Sequence, residues 1–166
     1  RYDLLKDLDP TDPAYALKGQ IALQTFLGYD FVRIAVEGLT MPLRYDLAED
    51  TAELKKEGGR GFVNEHRGPI TNWEEFEKYP WPDPNASTTY ALDWFSEHLP
   101  ENMCIVATGG FAHFAELLTW LMGYETFCIA LFEQRDLVAA IAQRLTDLYR
   151  ALLARILEYD RVKIIW

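Results

Sequence analysis

The stretch MCIVAT, residues 103–108, decides the fold class of this chain. An uninterrupted apolar and β-branched run that stops at Gly109 and Gly110 is typical of a strand buried on both faces. Two further runs of this kind occupy residues 29–36 and 160–166. Because a helix is predicted before each run, the sequence predicts parallel strands with helical crossovers, an α/β fold.

The predicted helices differ in how clearly they are marked. The clearest covers residues 136–158, where apolar side chains recur every three or four positions. Another is expected at residues 12–28, with Asp12 as N-cap, Pro13 at the first helical position and Gly28 as a left-handed stop. Shorter helices are predicted at residues 71–79, 90–98 and 111–122.

Residues 39–70 break the alternation of helices and strands. This stretch is polar, contains Gly58-Gly59 and Gly61, and has one β-like piece at residues 61–65. We interpret it as a loop or hairpin that leaves the carboxyl end of the first strand. It therefore decorates the α/β repeat and is not predicted to form a domain of its own.

Two architectures fit a chain of 166 residues: a small open α/β sheet and a portion of a (β/α)₈ barrel, which takes about 250 residues. The predicted strands begin about seventy and then about fifty-five residues apart, whereas compact open sheets use shorter connections. We therefore expect a single domain over residues 1–166, the N-terminal half of a partial TIM (β/α)₈ barrel. Its last strand has an unpaired edge, and one expectation is a homodimer in which two copies pair through this edge.

Composition excludes several classes of function. The chain is 49% hydrophobic and 25% charged, as in globular proteins, and carries a net charge of −10. Such an acidic chain repels phosphate backbones and anionic lipids, so we expect neither nucleic acid nor membrane as a partner. Cys104 and Cys128 lie in apolar stretches, which predicts buried, reduced thiols and a cytoplasmic location.

Several segments resemble the uroporphyrinogen decarboxylase superfamily. They are LGYDFV at residues 27–32, GPITNWEEFEKYPWP at residues 68–82, and the Gly-Gly-Phe of residues 109–111 before the Leu-Met-Gly of residues 121–123. The similarity runs in order from about residue 14 to residue 166. This superfamily contains the decarboxylase of haem synthesis and related corrinoid-dependent methyltransferases, all on TIM barrels.

The resemblance implies a catalytic role for Glu37, which stands where the decarboxylase has an aspartate facing the pyrrole nitrogens of its substrate. The predicted substrate-binding residues are Arg44, Gly110, Phe111, His113 and Glu116. The spacing of His113 and Glu116 also suits an acid/base couple or two metal ligands, fewer than zinc takes, so no metal site is assigned. Simpler interpretations stay open: a Glu37 ion pair with Arg33 or Arg44, and a pair of polar residues that only ends a helix.

The function implied by the resemblance is decarboxylation of a porphyrinogen or related polycarboxylate, a carbon–carbon lyase reaction that needs no cofactor. Its alternative is methyl transfer involving a corrinoid, for which zinc is also expected. A third possibility, from a different class, is a non-catalytic half-barrel that binds a tetrapyrrole or a partner subunit. In each case the expected small-molecule partner is tetrapyrrole-like.

Overall fold

A computed structural model describes residues 2–36, 39–48, 59–109 and 113–166 of the chain. The chain forms two compact units, each assembled from separate segments. The first unit comprises Arg1–Gly38, Pro84–Ala112 and Arg150–Trp166. The second comprises Leu39–Asp83 and His113–Tyr149.

The described residues contain both helices and strands. The helices are α1 (Tyr2–Leu5), α2 (Tyr15–Leu27), α3 (Trp73–Lys78), α4 (Tyr90–His98), α5 (Phe114–Met122), α6 (Tyr124–Glu133) and α7 (Arg135–Ile156), with a 3₁₀ turn at Pro84–Ala86. The strands are β1 (Phe31–Ala35), β2 (Tyr45–Ala48), β3 (Arg60–Val63), β4 (Cys104–Thr108) and β5 (Val162–Ile165).

The first unit contains a three-stranded parallel sheet in the order β1-β4-β5. Its strands are the three apolar runs of the sequence, and the predicted mixed α/β class with parallel strands is confirmed. Arg33 is opposite Val106, and Val106 is opposite Ile164. An irregularity after Ile105 shifts the register of β5 by one residue, Lys163.

The two faces of β1 are covered differently. Val32 and Ile34 are buried, whereas the alternating residues Arg33 and Ala35 are exposed. Alternate residues of a strand point to opposite faces, so one face of β1 packs into the core and the other remains open. Parallel sheets normally bury both faces; the central strand β4 follows that rule, with Ile105, Val106 and Ala107 all buried, and β1 departs from it.

Helix ends follow the chemistry of their capping residues. Gly28 ends α2 in the left-handed conformation, with φ +77°, as predicted. Either Thr71 or Asn72 suits the N-cap of α3 by sequence, and the structure shows Asn72 in this role, accepting a hydrogen bond from the Glu75 backbone N–H at 3.0 Å.

Some predicted boundaries were wrong. Helix α2 begins at Tyr15 and not at Pro13, because Asp12 accepts hydrogen bonds from the Ala14 N–H (2.7 Å) and the Lys18 ammonium (2.5 Å) in a turn before the helix. Helix α6 was not predicted at all. The predicted start of α5 at residue 111 lies outside the described residues.

The second unit has its own pair of strands and its own apolar core. Strands β2 and β3 are antiparallel within residues 39–70, where the sequence predicted a loop or hairpin. The core residues of α5 and α7 are fully or almost fully buried: Leu117, Leu118, Leu121, Met122, Leu137, Ile141 and Leu145. An extended segment joins this core, because Gly68 and Ile70 donate backbone hydrogen bonds to Met122 (2.8 Å) and Leu121 (2.9 Å).

Candidate functional site

The carboxyl ends of β1, β4 and β5 lie together at one edge of the parallel sheet, at Ala35, Thr108 and Ile165. In parallel α/β proteins, ligands bind at this edge, because the loops that follow the strands converge there. This edge is therefore the candidate functional site of the first unit.

Backbone hydrogen bonds extend the sheet beyond its strands at this edge. The Val36 N–H donates to the Thr108 carbonyl at 2.8 Å, and the Trp166 N–H donates to the Ala107 carbonyl at 2.9 Å. The Thr108 hydroxyl donates to the Ile34 carbonyl at 3.1 Å. These contacts fix the backbone from which the adjoining loops start, which is the rigidity that a binding site requires.

A cavity of about 200 Å³ lies beside the end of β1. It is lined by Ile34, Ala35, Val36, Thr88, Tyr90, Ala91 and Leu92, so it lies between β1 and the start of α4. Pockets that enclose a whole small molecule span roughly 300–1,000 Å³. This cavity is thus large enough for part of a ligand, and its walls are mostly apolar.

Three of the predicted site residues lie outside the described residues. Glu37 follows Val36 in the chain, and Gly110 and Phe111 follow Gly109. Their roles remain predictions. The residues that precede them, Val36 and Gly109, come directly after β1 and β4 in the chain.

The structure places the other three predicted residues in the second unit. It brings two of them together: His113 Nδ1 contacts Glu116 Oε2 in an ion-pair geometry, with each side chain more than half exposed. Arg44 is exposed and lines a different feature, a groove of about 650 Å³.

The groove of the second unit is an open surface with apolar walls and charged rims. It is lined by Pro42, Leu43, Arg44, Pro69, Asn72, Glu74, Glu75, Lys78, Tyr79 and Pro80. The Lys78 ammonium pairs with Glu74 at 2.6 Å. The Tyr79 hydroxyl donates to the Pro42 carbonyl at 2.9 Å, and burial raises the pKa of Tyr79, so this phenol stays protonated at neutral pH.

Glu75 stabilises one wall of this groove through hydrogen bonds and an ion pair. Its Oε2 accepts hydrogen bonds from the N–H and the hydroxyl of Thr71, both at 2.7 Å, and its Oε1 pairs with Arg67 at 3.0 Å. Burial raises the pKa of Glu75, but the hydrogen bonds from Thr71 and Arg67 outweigh it, and the net pKa is lowered. The Glu75 carboxylate therefore stays negatively charged and holds the segment before α3 in place by accepting these hydrogen bonds.

His66 also forms an exposed ion pair in this unit. Its Nδ1 is 2.8 Å from Glu125 Oε2, and the Thr126 hydroxyl donates to the His66 carbonyl at 2.8 Å. The hydrogen bond to Glu125 and its negative charge raise the pKa of His66. A raised pKa of the folded state adds stability below the unfolded value near 6.5, and this stability disappears as pH rises through the folded pKa.

We expect Glu125→Gln to lower the pKa of His66, because the carboxylate that favours the imidazolium is removed. The measurement is an NMR pH titration of the His66 ring protons, assigned with His66→Gln. Glu133→Gln, at the other end of α6, is the control and should leave the His66 titration unchanged. Equal titration curves for Glu125→Gln and the original protein would contradict the ion pair.

Metal ligands do not cluster in the part of the chain that the structure describes. No group of three or more His, Cys, Asp or Glu side chains suited to a metal ion occurs there. Cys104 and Cys128 are both free thiols of intermediate burial, so the predicted reduced state agrees with the structure while full burial does not.

Among the described residues, no single helix is long and apolar enough to cross a membrane. Helices α5 and α6 satisfy length and composition only as a pair, and they are bent by 92° where they join.

Arg33 is a feature of the candidate site that the sequence analysis considered only as an ion-pair partner of Glu37. Its guanidinium carbon lies 4.6 Å from the centroid of the Trp166 ring, a cation–π contact. The sequence signal was a single cation inside an apolar strand.

The chain matches no protein-family model, no curated protein and no solved structure.

Proposed function

We propose that this chain forms the first strands of a TIM barrel of the uroporphyrinogen decarboxylase superfamily. Strands β1, β4 and β5 are parallel and neighbour one another in chain order, as consecutive strands of a barrel do. A barrel also explains the open face of β1, because that face points to the barrel interior and is covered when further strands close the circle. The remaining strands come from outside these 166 residues.

The observation that carries the proposal is the one-sided burial of β1 in this parallel sheet. In an open doubly wound sheet, helices cover both faces, and Arg33 and Ala35 would be buried by them. In a barrel, helices cover only the outer face. The buried side chains of β1, Val32 and Ile34, then point outward to the helices, and the exposed ones point inward.

The proposed reaction is decarboxylation of a porphyrinogen or related polycarboxylate at the carboxyl edge of the sheet. The bond between a side-chain carbon and its carboxylate breaks, CO₂ leaves, and the electron pair stays on carbon until a proton replaces the lost group. Glu37 would bind a pyrrole N–H and stabilise positive charge on the ring. A carboxylate in a desolvated site performs either role, since low dielectric strengthens its interaction with a cation.

The proposed function is tested by incubating the complete barrel protein with uroporphyrinogen under reducing conditions. We expect products with fewer carboxylates and a matching release of CO₂. A protein that leaves uroporphyrinogen unchanged but binds cob(II)alamin would instead support the corrinoid-dependent methyltransferase. Binding of porphyrinogen without turnover would support the non-catalytic half-barrel.

We expect Glu37→Gln to reduce turnover roughly 10- to 150-fold, because one charge-assisted hydrogen bond in a desolvated site contributes about 1.5–3 kcal/mol. Stability should hardly change. The measurements are kcat/KM and the melting temperature of the same samples. Glu97→Gln, which removes an exposed carboxylate from α4, is the matched control. Full activity combined with a lower melting temperature would show that Glu37 only forms an ion pair.

A further inference from the structure

Arg33 occupies the middle of β1, on the exposed face of that strand. A charged residue there is unusual, because strands of parallel sheets are apolar on both faces. The backbone around it is fixed: the Gln20 side-chain amide donates to the Arg33 carbonyl at 2.5 Å, and Val32 and Ile34 are buried on either side. The position of this cation is therefore set by the sheet.

The Arg33 and Trp166 side chains meet across the neighbouring strand. Strands β1 and β5 both pair with β4, so they lie about 9–10 Å apart across it. The guanidinium of Arg33 nevertheless lies 4.6 Å from the Trp166 ring, immediately after β5. The two side chains together therefore bridge the width of β4, where Val106, the register partner of Arg33, is buried.

Stacking on Trp166 uses the face of the guanidinium and leaves its edge available. A guanidinium carries five N–H donors in one plane, which match the two oxygens of a carboxylate. Among the residues that the structure describes, no carboxylate forms an ion pair with Arg33. Stacking on Trp166 thus holds the Arg33 guanidinium in place, and none of the described acidic side chains accepts from its N–H donors.

The surroundings of Arg33 on this face are apolar and aromatic. Phe31 and Val106 share the face with it by strand alternation and register, and Ile164 lies beyond them on β5 with 53% of its surface exposed. Thr108, at the carboxyl edge, is the polar residue of the β4 row. A single cation within an apolar, ring-lined surface fits an organic anion better than a hydrated inorganic one.

We propose that Arg33, stacked on Trp166, binds a carboxylate of an organic anion whose apolar ring lies on this face of the sheet. The inference rests on the proposed function, in which this face lines the barrel interior. It adds to that function the residue that recognises a substrate carboxylate.

The test is calorimetric titration of the protein with naphthalene-2-carboxylate, an aromatic monocarboxylate with an apolar ring, at physiological ionic strength. We expect Arg33→Gln to weaken binding at least tenfold, and Arg33→Lys to weaken it less, since it keeps the charge but loses the planar fork. Trp166→Leu should weaken binding several-fold through loss of the stacking surface. Arg150→Gln is the matched control, because it removes one exposed arginine from α7 in the same unit.

Three results would overturn the inference: no binding by the original protein, unchanged binding by Arg33→Gln, or equal weakening by Arg150→Gln. Circular dichroism of every variant checks that its fold is retained, and Arg33→Lys serves if Arg33→Gln unfolds. Failure of this inference can be distinguished from failure of the proposed function. Turnover of uroporphyrinogen by Arg33→Gln at the original KM overturns only the role of Arg33. Arg33-dependent binding without turnover overturns only the decarboxylase.

Discussion

Replacing Gly68 by alanine should lower the free energy of unfolding by about 4 kcal/mol or more, because an added methyl group has no space at this position. A Cβ built on Gly68 lies 2.2 Å from the Leu121 carbonyl oxygen and 2.6 Å from the Met122 carbonyl carbon. Both are backbone atoms, so no rotation of a side chain relieves the overlap. The extended segment must move away from α5, which breaks the hydrogen bonds from Gly68 and Ile70 to its last turn.

Urea denaturation followed by circular dichroism measures this loss. Gly61→Ala is the matched control: its Cβ would have only an ordinary contact, 3.7 Å from a methyl group of Leu47, so its effect should stay within about 0.5 kcal/mol. Equal midpoints for the two variants would mean that the segment at Gly68 is not packed against α5 as described.

Replacing Arg155 by methionine should lower the free energy of unfolding by about 3 kcal/mol. Arg155 is near the end of α7, and its guanidinium donates to the Pro84 carbonyl (2.5 Å), the Ser87 hydroxyl (2.6 Å) and the Ser87 carbonyl (3.2 Å). Ser87 is a buried polar residue, and its hydroxyl also donates to the Pro84 carbonyl at 2.8 Å. Methionine fills a similar volume but leaves these carbonyl oxygens without their charged donor.

The thermal unfolding of Arg155→Met, Arg155→Lys and Arg150→Met distinguishes this network from a general effect of charge. Lysine keeps the charge but cannot donate in three directions from one plane, so we expect Arg155→Lys to recover only part of the stability. Arg150→Met, which changes an exposed arginine on the same helix, should be nearly neutral. If Arg155→Met and Arg150→Met had the same melting temperature, the hydrogen bonds from Arg155 to residues 84–87 would contribute nothing measurable to stability.

The sequence was informative where local chemistry decides the structure. Short apolar, β-branched runs identified all three parallel strands, and Asn72 lies at the start of α3 while Pro80 and Pro100 follow the ends of α3 and α4. Helix α6 was missed because its apolar residues do not keep to one face. Ile129 and Phe132 are exposed while Ala130 is buried, so no helical period is visible in the sequence.

Pairing between distant segments accounts for the other differences. Strand β2 has no buried residue, and its strand character depends on pairing with β3, which single-strand patterns do not reveal. The role of Arg33 also depends on a distant segment, because its stacking partner Trp166 lies 133 positions further along the chain. Of the predicted site, only the contact between His113 and Glu116 is visible among the described residues.

The first unit is assembled from three separate segments, and this order constrains its synthesis on the ribosome. Strand β1 is made early, but β4 follows only after the entire first segment of the second unit, and β5 comes later still. Translation proceeds at about 5–20 residues per second. The nascent chain therefore carries β1 for several seconds before β4, its partner among the described strands, emerges. During that interval the unpaired edges of β1 are open to pairing with other chains, which chaperones prevent.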